Sequence, residues 1–254
     1  MRIIKALWRR AGGMALHRIH GDTLTAPDGQ IFDVPSGFHH GDYYRLAAGR
    51  YEYDETQILR RFFQPDNVII EAGANIGVTA RYGFLEKLKG GGAYICIEPN
   101  PNSLETLAKN MRRAQNLAPG KQFHIIAAAI CEPAQDGGTG AFVRRRNLSS
   151  GLASHVRKSA RETTIPVALR SLSGIMAEHN VGRASLVCDA EGAEHLIIQD
   201  RAALARIGQV MIELHELALT GLPQTPDDLL ASFKELGFGR HDRIGHSHYL
   251  ARAL

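Results

Sequence analysis

Short apolar runs that end in a charged residue recur along the chain and predict the strands of a parallel sheet. Residues 68–70 lead into Glu71, and residues 93–97 lead into Glu98. Strands buried on both faces of a parallel sheet carry such continuous apolar runs. Three more runs follow, over residues 123–130, 185–189 and 209–215. The chain therefore predicts an α/β fold, with a mostly parallel twisted sheet and helices on both faces.

Helices are predicted between these runs, because apolar residues recur there at helical spacing. The segments are 51–63, 78–88, 104–114, 172–180, 191–206 and 226–236. The last is the best marked, since Thr225 can cap it, a proline follows and two acids occupy its first turn. Antiparallel hairpins are expected over 22–34 and, closing the sheet at the C-terminus, over 238–251 around Gly245.

The pattern divides the chain into an N-terminal extension, residues 1–50, and one domain, residues 51–254. Residues 1–19 mix Ile, Leu and Trp with Lys and Arg, which is typical of a basic amphipathic helix. We expect this helix to pack on the domain or on a second copy in a homodimer; weak contact with an anionic membrane surface is the alternative. Residues 132–167 are rich in Gly, Ser and Arg and are expected to form an insertion or lid over the sheet edge.

The composition is that of a globular protein with a sizeable core, since 44% of the 254 residues are hydrophobic. The net charge of +4 is mild, and aromatic and basic residues do not interleave, so nucleic acid is not an expected partner. The three cysteines lack the spacing of a disulfide framework, which indicates reduced thiols and a cytoplasmic location. No apolar stretch approaches the length of a transmembrane helix.

A glycine turn, Glu71-x-Gly73-x-Asn75-x-Gly77, follows the first apolar run and precedes a predicted helix. Such a helix start offers free N–H groups, and the glycines are expected to let a ligand lie against the backbone. The spacing differs from the Gly-x-Gly-x-x-Gly of nicotinamide enzymes. The acid at its start disfavours a phosphate ligand and suits a ligand with a positive charge and hydroxyls, such as S-adenosyl-L-methionine. Glu98, at the neighbouring strand end, can bind both ribose hydroxyls.

Three sequence blocks can be compared with known signatures: IEAGANIG at 70–77, IEPNP at 97–101 and CDAEGAE at 188–194. Together they resemble the FkbM family of S-adenosylmethionine-dependent methyltransferases. The family pattern usually begins the first block with Asp, where this chain has Glu71. The resemblance runs from about residue 51 to about residue 215. It implies a Rossmann-like class I methyltransferase fold and methylation of a hydroxyl on a sugar or natural product.

The cofactor is expected to lie on the glycine turn and the strand ends beside it. The cofactor-binding candidates are Glu71, Gly73, Ala74, Asn75, Gly77, Glu98, Pro99, Ala129 and Asp189. Ala129 is included because the small residues at 127–129 leave room for a flat adenine ring, although tight sheet packing explains them equally well. The substrate candidates are two acids where family members tend to carry one, and two serines beside the Arg144–Arg146 run: Glu52, Glu55, Ser149 and Ser150. Helix capping also explains the two acids. The arginine run is typical of a solvated face, and attraction of an anionic substrate is its competing role.

The fourth and fifth predicted strands end in Asp189 and in Glu213-Leu214-His215, and three roles compete for these residues. Asp189 and His215 can form a general base for a substrate hydroxyl. Alternatively, Asp189, Glu213 and His215 can bind Mg²⁺ or another divalent metal that acidifies the hydroxyl. The third possibility is a charge pair that ties two strands together. Glu191 is a further catalytic candidate from the resemblance, although helix-dipole stabilisation also explains it.

The expected activity is methyl transfer from S-adenosyl-L-methionine to a hydroxyl of a small molecule or glycan. An N-methyltransferase acting on an amine is the second interpretation. A non-catalytic nucleotide-binding module is disfavoured, because Asp189, Glu213 and His215 are all present at the predicted crevice. A nicotinamide-dependent dehydrogenase is disfavoured by the glycine spacing.

Overall fold

The fold is described from a computed structural model, which covers residues 2–144, 151–152, 163–215 and 225–252. The helices in these ranges are α1 (Arg2–His20), α2 (His40–Ala47), α3 (Tyr53–Arg61), α4 (Val78–Tyr82), α5 (Pro101–Leu117), α6 (Leu172–Glu178), α7 (Glu194–Gln199), α8 (Arg201–Leu204) and α9 (Pro226–Glu235). The strands are β1 (Thr23–Thr25), β2 (Ile31–Asp33), β3 (Asp66–Ala72), β4 (Leu88–Ile97), β5 (Gln122–Ile126), β6 (Ala128–Cys131), β7 (Thr139–Arg144), β8 (Gly151–Leu152), β9 (Thr163–Ser171), β10 (Ala184–Cys188), β11 (Ile207–Glu213), β12 (Arg240–Ile244) and β13 (Ser247–Ala251).

The main sheet has the order β12-β13-β11-β10-β3-β4-β5. Strands β5, β4, β3, β10 and β11 run parallel, and β13 returns antiparallel to β11 as part of the C-terminal hairpin. The predicted fold class, a mostly parallel sheet with a closing hairpin, is confirmed. The chain moves outward from β3 to β5 and then returns to β10, so the strand order reverses between β3 and β10. In sheets of this kind, ligands bind in the crevice at that point, beyond the carboxyl ends of the strands.

Apolar side chains alternate between two cores, one on each face of the sheet. Ile70 of β3 faces the core formed with α6 to α9, and Ile69 faces the core formed with α2 to α5. Buried side chains of the N-terminal extension, including Phe32 and Tyr43, join this second core. The extension thus packs continuously with the sheet, and the domain boundary at residue 50 stays a prediction.

Helix α1 packs directly against α2, through two glycines that let the backbones approach. A Cβ on Gly13 would lie 1.6 Å from the carbonyl oxygen of His40. The ring of His17 stacks on Tyr43, with 4.8 Å between the ring centroids. The helical part of the prediction for residues 1–19 agrees with this arrangement. Its contact with a membrane surface or a second copy stays a prediction, and none of the helices described is long and apolar enough to span a bilayer.

The predicted third strand, residues 123–130, is two strands in the structure. β5 ends at Ile126 in the main sheet, and β6 begins at Ala128 in a second sheet of order β6-β9-β7-β8. The described parts of the predicted insertion, 132–167, supply β7, β8 and the start of β9 to this sheet. Residues 145–150, which include Ser149, Ser150 and most of the arginine run, lie outside the described residues.

The predicted helix over 191–206 is shorter and divided. Glu191 and Gly192 have φ of 50° and 99°, a left-handed conformation that a helix excludes, so α7 begins only at Glu194. Asp200 then ends α7, and its carboxylate caps α8 by accepting from the N–H of Ala203 at 3.1 Å. Glu191 therefore lies in a turn at the sheet edge and gains nothing from a helix dipole.

Candidate active site

A cavity of about 370 Å³ opens at the carboxyl edge of the sheet, where the strand order reverses. Gly73 after β3, Glu98 after β4 and Asp189 after β10 line it, together with His215 after β11. Ala129 of β6 and Pro99 line it as well. The volume is within the range of small-molecule sites. The cavity thus brings together most of the cofactor and catalytic candidates named from the sequence.

The glycine turn lies closer to the neighbouring strand than the sequence suggested. Gly73 has φ of +88°, and a Cβ at this position would lie 1.8 Å from the carbonyl oxygen of Asp189. Gly77 has φ of +83°, and its Cβ would lie 2.7 Å from the Leu107 side chain in α5. Contacts within the protein therefore require both glycines, and their role in making room for a ligand stays a prediction. Gly73 also lines the cavity, whereas Ala74 and Gly77 are absent from the described residues that line it.

Replacing Gly73 with Ala is expected to destabilise the protein by more than about 3 kcal/mol, because the new methyl group meets backbone that cannot move aside. Gly91→Ala is the matched control, since Gly91 has φ of +76° but no atom within 4 Å of a Cβ. The control retains only the strain of the left-handed conformation, which costs about 1 kcal/mol. Urea unfolding of both variants measures the difference, and equal losses would contradict the close contact with Asp189.

Glu98 is hydrogen-bonded to the backbone of the glycine turn and to the backbone that follows β4. Its Oε2 accepts from the N–H of Asn75 at 2.7 Å, and its Oε1 accepts from the N–H of Asn100 at 2.7 Å. Burial raises the pKa of the Glu98 carboxyl to about 7, and these two hydrogen bonds oppose that shift. A carboxylate has about four lone-pair sites, so each oxygen keeps one for a ligand hydroxyl.

Glu71, the first residue of the glycine signature, lies behind the cavity. It is only 3% exposed, and its Oε2 accepts from the hydroxyl of Tyr94 at 2.5 Å. Burial raises the pKa of its carboxyl to about 8, so it is mostly protonated at neutral pH. Glu71 does not belong to the described lining of the cavity, which places it beneath the binding surface.

Glu52 and Glu55 both line the cavity and are both engaged with other elements. Glu52 Oε2 accepts from the N–H and the hydroxyl of Thr79, each at 2.8 Å, and so caps the start of α4. Glu55 accepts from the hydroxyl of Ser247 at 3.0 Å. Burial, and then the neighbouring carboxyl of Glu213, raise the pKa of Glu55 to about 7. A substrate role for either residue stays a prediction.

His215 lies at the centre of four carboxyl groups. Its Nδ1 is 2.9 Å from Oε1 of Glu194, a side chain with no exposed surface. Its Nε2 faces the cavity, 3.8 Å from Glu191, 3.9 Å from Glu213 and 4.0 Å from Asp189. The predicted grouping of Asp189, Glu213 and His215 is thus present in space, and Glu191 and Glu194 join it.

The charges around His215 decide its protonation. Burial lowers its pKa, but the hydrogen bond and charge of Glu194, with the charges of Asp189 and Glu191, outweigh burial and raise the pKa to about 10. Burial and the neighbouring carboxylates Glu213 and Glu191 raise the pKa of Asp189 well above its usual value. The raised pKa favours the imidazolium form of His215, which has no free nitrogen to accept a proton. The carboxylates beside it in the cavity wall are Asp189, Glu191 and Glu213, and Oδ1 of Asp189 has no hydrogen-bond partner.

Sequence reasoning missed two residues that shape the site. Glu194 was not a candidate, yet it is fully buried and its carboxylate orients His215. The available signal was its place in the 188–194 block that carries the resemblance. Tyr51 was also missed; its hydroxyl accepts from Nδ2 of Asn75 at 3.0 Å and fixes the turn from the opposite wall.

Backbone conformations that L-residues rarely adopt are concentrated around the cavity. Four non-glycine residues among those described have positive φ, and three of them line the cavity: Glu52, Asn75 and Glu191, with φ of 47°, 50° and 50°. Such conformations cost on the order of 1–3 kcal/mol each and persist where the surroundings enforce them. Their location supports a functional role for this cavity.

The raised pKa values predict that the unliganded protein loses stability as the pH rises from 6.5 to 8. Burial raises the carboxyl pKa of Glu52, Glu55 and Glu98 to about 7, above the 4.5 that is usual for glutamate. A group whose pKa is raised by folding contributes stability that is lost as pH rises through its folded value. His248, with its pKa lowered to about 4, acts in the opposite direction, and its effect fades about one pH unit above 6.5 as the unfolded imidazole loses its proton. Urea unfolding at pH 6.5, 7.2 and 8.0 measures this; constant stability would contradict the raised pKa values.

The sequence model of the methyltransferase FkbM domain matches residues 71–239. The chain belongs to the FkbM methyltransferase family. The matched range includes the glycine turn, Glu98, Asp189 and His215, whereas Glu52 and Glu55 precede it. No curated protein matches the chain.

Several solved structures have similar folds to this FkbM methyltransferase. Methyltransferase FkbM from Methylobacillus flagellatus KT is 15% identical with a TM-score of 0.46, and the match covers 83% of this chain and 54% of that protein. Sp1610 of Streptococcus pneumoniae, a candidate tRNA (m1A22) methyltransferase, is 10% identical with a TM-score of 0.42, covering 78% and 69%. Precorrin-6y C5,15-methyltransferase from Geobacter metallireducens GS-15 is 12% identical with a TM-score of 0.39, covering 79% and 86%. Similarity this low carries no information about the substrate.

Proposed function

We propose that this FkbM methyltransferase transfers a methyl group from S-adenosylmethionine to a hydroxyl of a sugar, glycan or similar metabolite. The observation that carries the proposal is the carboxylate of Asp189, which lines the cavity beside His215, is about a third exposed and has one oxygen, Oδ1, without a hydrogen-bond partner. A hydroxyl is a poor nucleophile until its proton is removed, so a carboxylate in the cavity wall has a clear use. His215, as an imidazolium 4.0 Å away, stabilises the charged form of Asp189.

The residues of the cavity suit S-adenosylmethionine. Glu98 keeps lone pairs for two adjacent ribose hydroxyls, and the small side chain of Ala129 leaves a flat surface for adenine. The carboxylates of the wall suit the positive charges of the cofactor, whereas they would repel the diphosphate of a nicotinamide cofactor. When bound, S-adenosylmethionine supplies an electrophilic methyl group. The protein's part is to align the acceptor oxygen with that methyl group, exclude water and receive the proton at Asp189.

An oxygen acceptor fits the electrostatics better than an amine. Glu191, Glu213 and Asp189 would hold an amine as its ammonium ion, because nearby negative charges favour the cationic form. An ammonium ion has no lone pair with which to attack a methyl group. N-methylation is therefore the second candidate, and it requires the amine to lose a proton first.

An acceptor screen tests the proposed function. The full chain is incubated with deuteromethyl S-adenosylmethionine and a panel of sugars, sugar phosphates, glycans and matched amines, and products are analysed by mass spectrometry. We expect the label on a hydroxyl oxygen. Label found only on amine nitrogen would overturn the O-methyltransferase proposal, and no cofactor turnover with any acceptor would support a binding protein instead.

A divalent metal ion bound by His215 and the neighbouring carboxylates is the alternative to a protonated His215. The structure groups Asp189, Glu191 and His215, whose ligand atoms lie within 4.8 Å of one another, whereas the sequence suggested Glu213 in place of Glu191. Two carboxylate oxygens and an imidazole nitrogen suit Mg²⁺, Mn²⁺ or a related ion. A bound ion at these residues would acidify the acceptor hydroxyl.

We expect methyl transfer to survive exhaustive treatment with EDTA, because the imidazolium of His215 already balances the carboxylates. The measurement is the initial rate before and after chelation, with Mg²⁺ or Mn²⁺ added back. Lost activity that either ion restores would show that a metal replaces the proton. Melting temperatures recorded with each ion separate metal binding from an effect on the assay.

A further inference from the structure

A second groove adjoins the candidate active site and is lined by three arginines. Its residues come from α1, from the end of α2 and from the start of α3, and its volume is about 600 Å³. Arg9, Arg45 and Arg50 line it, with a single carboxylate, Asp54. We refer to it as the arginine groove. It has a net positive charge, whereas the neighbouring cavity is rich in carboxylates.

The arginines of the groove have their charges available. Neither Arg9 nor Arg50 forms an ion pair with another residue in the described part of the chain, and both are exposed. Arg45 is 3.7 Å from Asp42 and lies over the ring of Tyr51. By contrast, Arg60 and Arg113 elsewhere on the surface form close carboxylate pairs, at 2.7 Å and at 2.5 Å. Arginine groups that are not paired within the protein are suited to bind a carboxylate or phosphate of a ligand.

The two helix ends at the groove have opposite effects on a bound anion. Ala48 and Gly49, at the carboxyl end of α2, line the groove, and the dipole of that helix disfavours an anion there. Helix α3 begins in the groove at Tyr53 and has the opposite effect, although Asp54 in its first turn offsets part of it. The backbone therefore gives no clear preference, and the arginines determine the sign of the charge that binds.

The groove and the cavity are adjacent and share part of their lining. The shared residues are Arg45, Arg50, Tyr53 and Asp54, so a ligand in the groove lies next to the cavity. Tyr53 has 48% of its surface exposed at this junction and presents a ring on which a sugar or base can stack. The carboxylates exclude an anion from the inner part, and the arginines attract it to the outer part.

We propose that the arginine groove binds a phosphate or diphosphate group of the methyl acceptor, while the hydroxyl to be methylated enters the inner cavity. The acceptor class is then a phosphorylated or diphosphate-linked glycosyl compound. The assignment of the ligand as a methyl acceptor rests on the proposed function, whereas the binding of an anion in the groove does not. Binding of inorganic pyrophosphate can therefore be measured without cofactor, acceptor or turnover.

Isothermal titration of inorganic pyrophosphate into the full chain at low ionic strength tests the site. We expect saturable one-site binding, and a loss of affinity of at least about tenfold in the double variant Arg9→Gln/Arg50→Gln, because charge-assisted bonds to arginine are the strong ones. Arg50→Lys keeps the charge but not the planar fork, so it should lose less. Arg61→Gln, an exposed arginine outside the groove, is the matched control and should bind pyrophosphate like the wild type.

Three results would overturn the proposal: no saturable binding to the wild type, an equal loss in Arg61→Gln, or a parallel loss of S-adenosylhomocysteine affinity in the double variant. The last would assign the arginines to the carboxylate of the cofactor. Unchanged S-adenosylhomocysteine affinity also shows that the double variant is folded. Uridine diphosphate and geranyl diphosphate identify what carries the phosphate group. Tighter binding of uridine diphosphate than of pyrophosphate indicates a nucleotide-linked acceptor. Tighter binding of geranyl diphosphate than of pyrophosphate indicates a lipid-linked acceptor. Equal binding of all three indicates a simple sugar phosphate.

Discussion

Replacing Asp189 with Asn is expected to lower the rate of methyl transfer by about 10²- to 10⁴-fold, the range that positioned acid–base groups contribute. The amide keeps the size of the side chain at the cavity wall but is not a base, so it cannot receive the proton of the acceptor. Affinity for S-adenosylhomocysteine should change little, because proton removal belongs to the transfer step. The measurement is single-turnover methyl transfer with saturating cofactor.

The pH profile distinguishes a proton acceptor from a structural carboxylate. With its pKa raised by burial and by Glu213, Asp189 gives a wild-type rate that increases with pH until the carboxyl is ionised. The residual rate of Asp189→Asn should lack that dependence. Asp227→Asn, an exposed change in the first turn of α9, is the matched control and should behave as the wild type. A variant rate within about threefold of the wild type would remove Asp189 from the chemistry.

The second large effect is expected for Glu98→Gln, which should weaken S-adenosylmethionine binding by about 100-fold or more. Two ribose hydroxyls would lose charged acceptors, and hydrogen bonds to charged groups contribute about 1.5–3 kcal/mol each. The amide nitrogen would also oppose the N–H of Asn75 or Asn100, both of which now donate to the carboxylate. Titration with S-adenosylhomocysteine measures the affinity, and circular dichroism checks that the sheet is intact.

Glu71→Gln is the informative comparison, because Glu71 is equally buried, has a raised pKa and lies outside the cavity lining. An amide there can still accept from the hydroxyl of Tyr94, so cofactor affinity should fall by less than about tenfold. If Glu71→Gln and Glu98→Gln lost affinity equally, the assignment of the ribose to Glu98 would be wrong.

The fold could be predicted from the sequence because the strongest signals in the sequence are local. Continuous apolar runs at 68–70 and 93–97 identify buried parallel strands, and a glycine turn after the first marks the crevice. The proline and capping signals at residue 225 correctly predicted α9, whose capping box forms between Thr225 and Asp228. Each of these features depends on a few neighbouring residues.

The features that the sequence did not reveal depend on distant parts of the chain. Gly73 approaches Asp189, more than 100 residues away, so the reason for its glycine is invisible in the local pattern. Glu191 adopts a left-handed conformation that no propensity predicts for glutamate, and this shortened the predicted helix. The role of Glu194 depends on His215, which arrives from the end of β11. Tertiary contacts determine all three.

Isothermal titration of the purified full chain with S-adenosylhomocysteine and, separately, with NAD tests the central claim most directly. We expect saturable binding of S-adenosylhomocysteine at one site and no saturable heat with NAD. The affinity for S-adenosylmethionine should increase between pH 6.5 and 8, because its positive charges favour the ionised forms of Glu98 and Glu52, whose pKa values are raised to about 7. Saturable NAD binding with no response to S-adenosylhomocysteine would contradict the account.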